Sequence, residues 1–186
     1  MKLSALLLAA TVVLVVGCQN PKDANNENFS KAISAYLAHQ EESGGYCIGS
    51  KIDHFEVEDF KLDQATRALM KIGFLEITGH RTGAGFFTIT GYEFTSKGRE
   101  SFTPGKGFCF GKPQLGQIVN FTDPGPAGTK SRVIYSYQLT SVPAWANGPD
   151  GQAFHSIMPA AYGLVQSTDT LVLTGNGWVH ESFAPH

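Results

Sequence analysis

The sequence predicts an α+β fold in which N-terminal helices and a hairpin pack against an antiparallel β-sheet. Apolar residues recur at helical spacing in the first half of the chain and alternate at strand spacing in the second half. The composition agrees, because 21 glycines, 9 prolines and 16% charged residues are typical of a folded, turn-rich chain. A hydrophobic fraction of 42% is enough to form one core.

The first predicted helix follows a polar stretch. Its apolar face consists of Phe29, Ala32, Ile33, Tyr36 and Leu37. Asn28 is the predicted N-cap, because its side chain can accept a hydrogen bond from a free amide of the first turn. Gly44 and Gly45 end the helix.

A second helix is the clearest local pattern in the chain. Its apolar face is formed by Leu62, Ala65, Leu69 and Ile72, and Gly73 stands where a left-handed C-cap is expected. A strand is predicted before it at residues 52–60, and two strands after it at 74–78 and 86–95. Residues 80–85, which contain two glycines, form the predicted turn between these last two strands.

Two sequence segments in this region resemble those of winged-helix modules. They are LMKIGFLE at residues 69–76 and YEFTSKGR at residues 92–99. In that family such segments mark the end of the recognition helix and the last strand of the wing. The resemblance therefore implies a winged-helix-like part over residues 29–102. It does not extend to DNA binding, because Asp63 accompanies Arg67 and Lys71 in the corresponding helix and no basic cluster follows.

The second half has the character of an antiparallel sheet. Strands are predicted at residues 118–122 and 132–139, where Val133, Tyr135, Tyr137 and Leu139 form one mostly apolar face. A final hairpin is predicted around Gly175-Asn176-Gly177, because Asn-Gly is a favoured two-residue turn. Together these strands form a β-rich part over residues 103–186.

The first seventeen residues have the organisation of an export signal. Lys2 precedes an apolar run from Leu3 to Val16, which is shorter than the ~20 residues that a membrane span needs. The segment Val15-Val16-Gly17-Cys18 resembles the lipobox of bacterial lipoproteins. This resemblance implies cleavage by the lipoprotein signal peptidase before Cys18 and attachment of lipid to its thiol. Gln19 in place of aspartate implies the outer membrane of a Gram-negative cell, on its periplasmic side. The alternative is a transmembrane anchor with an incidental cysteine.

The predicted organisation is therefore a signal peptide (1–17), a flexible tether (18–28) and one compact domain (29–186). Within that domain, the segments FCFGK at 108–112, VPAWA at 142–146 and GNGW at 175–178 are similar to those of a group of short proteobacterial lipoproteins without assigned activity. That resemblance implies no catalytic residues.

Cys47 and Cys109 are the two cysteines that remain after lipidation of Cys18. An oxidising envelope favours a disulfide between them. The alternative is a thiol enzyme that uses one of them with a histidine base, or another small enzyme that depends on a histidine.

No catalytic, metal or cofactor site is predicted. The segment GKGFCFGK at residues 105–112 is followed by Pro113, where a phosphate loop needs Ser or Thr. None of the six histidines pairs with another at ligand spacing, and His155-Ser156 lacks a nucleophile elbow. The acids Glu56, Glu58, Asp59 and Asp63 are predicted to form a solvated face. The net charge of −2 argues against a nucleic-acid partner.

Trp145 and Trp178 are the candidate recognition patch, because both lie beside predicted loops and interfaces favour tryptophan. The predicted function is a non-enzymatic binding module that is held at the membrane by lipid on Cys18 and docks an envelope protein or polymer. The thiol or histidine enzyme and a carrier of a small apolar ligand are the alternatives.

Overall fold

The computed structural model describes residues 20–125 and 128–184. The predicted signal peptide, Cys18, Gln19 and His186 lie outside the described residues. The chain forms helices and antiparallel sheets, so the predicted α+β class is confirmed.

A small sheet forms the part of the fold that carries the long hairpin. Its strands are β2 (His54–Glu58), β3 (Leu75–Thr82) and β4 (Thr88–Phe94), in the order β2-β4-β3 with antiparallel neighbours. Helix α2 (Gln64–Lys71) connects β2 to β3, and α3 (Ser96–Ser101) follows β4. Gly73 has φ +75° just beyond α2, as predicted for a left-handed cap.

A four-stranded meander forms the larger sheet. It consists of β6 (Lys112–Phe121), β7 (Lys130–Thr140), β8 (Val165–Thr174) and β9 (Gly177–His180), in sequence order. A short helix, α4 (Ala144–Asn147), lies in the connection from β7 to β8. The N-terminal helix α1 (Asn26–Glu42) packs across one face of this sheet, against β6 and β9. The face of β7 under α1 is the apolar one that the alternation predicts.

Two short strands and a disulfide join the halves of the chain. Strand β1 (Cys47–Ile48) pairs with β5 (Phe108–Cys109), and Cys47 stands directly opposite Cys109. Their sulfurs are bonded at 2.08 Å, as predicted, and the bond closes a separation of 62 residues. One hydrophobic core continues through both halves, with buried aromatic residues from each, among them Phe29, Phe74, Phe94, Phe108, Phe110 and Tyr135.

The start of α1 differs from the prediction. Asn25 is the N-cap, because its side-chain oxygen accepts the Asn28 N–H at 2.9 Å. The Asn28 side chain is buried instead, and its amide donates to the carbonyls of Asn20 and Asp23, both at 2.9 Å. Several asparagines precede the apolar face, and each is a competent cap by its chemistry.

The described part of the predicted tether, residues 20–28, lies on the body of the protein. Besides the bonds from Asn28, the carbonyl of Lys22 accepts the indole N–H of Trp178 at 3.1 Å. Pro21 approaches Gly177 so closely that a Cβ atom there would lie 2.8 Å from the Pro21 oxygen. The polar side chains and carbonyls of this predicted tether thus hydrogen-bond to the fold, and its last residues already belong to α1. None of the described helices is both long and apolar enough to cross a bilayer.

Candidate binding surface

The hairpin of β3 and β4 ends in a five-residue loop, Gly83 to Phe87. The Gly83 N–H donates to the Phe87 carbonyl at 2.8 Å, which closes the loop at its base. Gly85 has φ +87° and Phe86 has φ +69°, so two successive residues adopt the left-handed region. Gly85 suits this geometry, whereas a phenylalanine there is strained by its Cβ atom. Backbone strain at an exposed, bulky residue is a reason to look for a function.

Three phenylalanines project into solvent around this loop. Phe86 is 94% exposed, Phe60 66% and Phe87 41%. The rings of Phe60 and Phe87 meet edge to face with centroids 5.4 Å apart, and Lys61 Nζ lies 5.3 Å from the centroid of Phe60. We call these three residues the aromatic tip. Such exposure of neighbouring large apolar side chains is typical of an interaction site.

A hydrogen-bond chain centred on the buried Thr90 ties the segment before Phe60 to the hairpin. The hydroxyl of Thr90, on β4, donates to Asp59 Oδ1 at 2.6 Å, and His80 Nδ1 lies 2.8 Å from the hydroxyl oxygen of Thr90. Since the single hydroxyl proton is used by Asp59, the His80 ring donates from Nδ1. Asp59 immediately precedes Phe60, so these bonds hold Phe60 beside β3 and β4, where its ring meets that of Phe87.

An ion pair braces the opposite face of the small sheet. Arg81 Nη2 donates to Glu56 Oε2 at 2.6 Å, and Arg81 Nε donates to Glu56 Oε1 at 3.2 Å. The pair crosses strand β4 at Gly91, which is the register partner of both Glu56 and Gly79. The hydrogen bond from Arg81 holds the pKa of Glu56 below its usual range. The open cavity of about 230 Å³ beside the pair is therefore lined by charges that already neutralise each other.

The remaining acids of the predicted solvated face, Glu58 and Asp63, each have a structural partner. Glu58 pairs with Lys61 at 2.5 Å, and Asp63 caps α2 by accepting the Thr66 N–H at 2.7 Å. With Asp59 bound to Thr90, no two of these acids are arranged as a pair that shares a proton. The carboxylates support the fold at separate points.

Of the two tryptophans of the predicted recognition patch, Trp178 is a core residue and Trp145 is partly buried against the core. Trp178 is 7% exposed, and its ring contacts Phe29 with centroids 5.0 Å apart. Trp145 is half-buried in an edge-to-face cluster with Phe74, Phe110 and Phe154 at 5.0–5.4 Å. The prediction of an exposed patch is wrong for Trp178, and both rings pack between elements that lie far apart in the sequence.

The disulfide bears on the alternative of a thiol enzyme. With Cys47 and Cys109 bonded, neither offers a thiolate in this state. An open cavity of about 300 Å³ lies beside the bond, and no histidine lines it. Its lining residues are Glu41, Tyr46, Cys47, Thr103, Lys106, Cys109, Gly111, Lys112, Ser141 and Pro143. The cysteine–histidine arrangement that such an enzyme needs is not formed there.

A polar cluster that the sequence did not reveal lies between α1 and the large sheet. Tyr135 donates to Asp169 Oδ2 at 2.6 Å, and His180 Nε2 lies 3.6 Å from Asp169 Oδ1. His180 Nδ1 accepts the Ser182 N–H at 3.1 Å, which places the proton of the neutral ring on Nε2, toward Asp169. The ring of Tyr36 stacks on His180 with centroids 3.7 Å apart. The strand pairing Leu171–His180 brings the group together, and the sequence signal was the inward alternation of Ser167, Asp169 and Leu171.

This cluster has the character of a packed support. His180 is buried, Tyr36 covers its ring, and none of the three described cavities opens onto it. Burial, followed by the bond to Asp169, raises the pKa of Tyr135. Across the described residues, no three His, Cys, Asp or Glu side chains are grouped as metal ligands.

The aromatic tip is thus the feature of the described surface that stands out by exposure and strain. No protein-family model matches the chain, and comparisons with curated proteins and with solved structures find no significant match.

Proposed function

We propose that the chain is a lipid-anchored docking protein of the bacterial cell envelope, which binds a partner protein through the aromatic tip. The observation that carries this proposal is Phe86, a phenylalanine that is almost fully exposed at a positive φ. The anchor is the lipid expected on Cys18. The winged-helix resemblance remains a prediction about the fold of residues 29–102 and contributes nothing to the proposed activity.

The chemistry of the tip favours a protein partner over an envelope polymer. Phenylalanine has no polar group, so Phe60, Phe86 and Phe87 cannot supply the hydrogen bonds with which a glycan is usually bound. Burying one phenylalanine side chain contributes about 1.5–3 kcal/mol, as expected for a hot spot in an apolar groove. The hydrogen-bond chain through Thr90 holds Phe60 in place before binding, which lowers the entropy lost on association.

Photocrosslinking in living cells tests the docking surface. A photoreactive residue replaces Phe86, and in a second strain it replaces Leu164, which is also exposed and apolar but precedes β8. We expect a discrete protein adduct from position 86 and none from position 164. Phe86→Ala should lower the affinity for the partner by about 10- to 100-fold, and crosslinking from position 60 should then give correspondingly less adduct. Leu164→Ala is the matched control. Equal adducts from both positions, or none, would refute the docking surface.

The anchor is tested separately from the surface. We expect Cys18→Ser to release the protein from the membrane fraction and to remove the acyl mass from its N-terminal peptide. The same variant should keep the folded domain and its disulfide, because Cys18 is not a partner of Cys47 or Cys109. Retention of the variant in the membrane fraction would argue for a transmembrane anchor instead.

A further inference from the structure

The N-terminal segment lies on one end of the four-stranded sheet. Three contacts hold it there: Asn20 and Lys22 offer their carbonyls to Asn28 and Trp178, and Pro21 rests on Gly177. These bonds are 2.9 Å and 3.1 Å long, and Gly177 leaves no room for a side chain under Pro21. The first described residues are therefore a fixed part of the body.

The same end of the sheet gathers the other strand termini. Phe29 at the start of α1 contacts both Trp178 at the start of β9 and Phe121 at the end of β6, with ring centroids 5.0 Å and 4.8 Å apart. Thr122 bonds to Arg132, and Leu173 donates to the carbonyl of Thr129. We call this region the sheet end. Its exposed residues include Lys22, Thr122, Lys130, Arg132 and Asn176.

Covalent geometry leaves little distance between the lipid and the sheet end. Cys18 is two residues before Asn20, and two trans peptide units span at most ~7.6 Å between Cα atoms. The headgroup layer on one side of a bilayer is itself about 5–7 Å thick. We propose that the sheet end lies directly on the phospholipid headgroups of the anchoring membrane, in one fixed orientation. This inference rests on the proposed lipid anchor and adds the surface that meets the membrane.

The sheet end has the side chains that a headgroup layer can accept. Lys22, Lys130 and Arg132 are exposed cations, and an open cavity of about 350 Å³ is lined by Arg132 with Asn120, Phe121, Thr122 and Ile134. Phosphate is bound well by guanidinium and hydroxyl groups. Two acids lie near these cations: Asp123 accepts the Gly125 N–H of its own loop at 2.9 Å, and Asp23 is exposed next to Lys22 in the sequence. The sheet end can therefore contact lipid phosphate groups, and the short connection to Cys18 holds it close to the membrane that contains them.

Fluorescence quenching on the full-length lipidated protein tests the proposal. Asn176→Cys and Leu164→Cys each receive an environment-sensitive fluorophore, and the protein is reconstituted into vesicles of phosphatidylethanolamine and phosphatidylglycerol that contain a headgroup quencher. The two positions lie at opposite ends of β8, about 30 Å apart at ~3.3 Å per residue. We expect loss of fluorescence at position 176 and none at position 164.

A spacer variant provides the matched control. Insertion of about twenty Gly and Ser residues before Asn20 adds a flexible connection of roughly 25 Å and should remove the quenching at position 176, while the protein still floats with the vesicles. Equal quenching at positions 176 and 164, or quenching that the spacer leaves unchanged, would overturn the fixed orientation alone. Protein that neither carries acyl mass on Cys18 nor floats with the vesicles would overturn both this inference and the proposed anchor.

Discussion

At the scale of single residues, Phe86 combines two features that stability alone does not explain. Its ring is exposed to water, and its backbone has φ +69°, which disfavours any residue with a Cβ atom. The neighbouring Gly85 carries no such penalty, and its Cβ position would lie 2.7 Å from the ring of Phe87. The loop therefore has a glycine at position 85, where a side chain would not fit, and a phenylalanine at position 86, where the backbone conformation favours glycine.

A pair of variants separates the backbone from the ring at this position. Phe86→Gly and Phe86→Ala both remove the ring, but only the alanine keeps a Cβ atom at the positive φ. We expect the glycine variant to have a free energy of unfolding about 1 kcal/mol higher than the alanine variant. Urea denaturation of the two proteins measures the difference. An alanine variant that is the more stable of the two would show that the loop does not hold this φ in solution.

At the scale of elements, the sequence was informative where one pattern decides the outcome. Gly73, the apolar face of β7 and the Cys47–Cys109 bond were predicted because a helix end, a strand period and an oxidising compartment each leave few alternatives. The strand β3 continues to Thr82 and moves the turn from 80–85 to 83–87, so Phe86 belongs to the tip and not to the returning strand.

The tryptophans show why the candidate site was predicted less well than the fold. A loop-flanking tryptophan is exposed or buried according to what packs over it from elsewhere in the chain. Lys22 and Phe29 cover Trp178, and Phe74 and Phe154 cover Trp145. Such contacts are long-range, and local periodicity contains no information on them. No described residue packs over Phe86, which is 94% exposed. The sequence pattern around it nevertheless resembles that of a strand with a buried face.

The Thr90 chain yields a prediction about the support of the aromatic tip. Thr90→Val keeps the shape of the side chain but removes the hydroxyl that joins Asp59 to His80. We expect the free energy of unfolding to fall by about 1 kcal/mol, and amide exchange to rise at Asp59–Lys61. Thr88→Val, on the exposed part of the same strand, is the control. Equal exchange at these residues in both variants would mean that the chain does not position Phe60.

At the scale of the whole molecule, tyrosines concentrate where α1 meets the large sheet. Tyr36, Tyr46, Tyr135 and Tyr137 all lie in this interface, and burial is the main cause that raises the pKa of each. Asp169 adds to the effect for all four, because its negative charge disfavours a tyrosinate nearby. The interface thus favours the neutral, protonated form of these tyrosines.

This arrangement predicts loss of stability at alkaline pH. An unfolded tyrosine loses its proton near pH 10, while the folded chain retains it because the folded-state pKa is higher. The stabilisation is complete below pH 10 and is lost as the pH rises further, by at most about 1.4 kcal/mol per pH unit for each of Tyr46 and Tyr135, where burial raises the pKa most, and by less for the more exposed Tyr36 and Tyr137. Denaturant unfolding between pH 8 and about pH 11 measures the slope.

Tyr135→Phe provides the comparison. It removes one titrating group, so the free energy of unfolding should fall less steeply with pH above pH 10, by the contribution of one tyrosine. The loss of the bond to Asp169 also lowers stability at neutral pH. An unchanged slope would show that Tyr135 does not titrate with unfolding.

The disulfide has a further consequence for what happens when the chain is cut. The loop from Gly83 to Phe87 lies between Cys47 and Cys109, so a protease that cleaves beside the exposed Phe86 produces two fragments that remain covalently joined. The ladders of β4 with β2 and β3 also continue to hold the pieces in register. Nicked molecules would migrate as one species until a reductant is added. Cleavage at the tip would therefore damage the docking surface without separating the two halves of the chain.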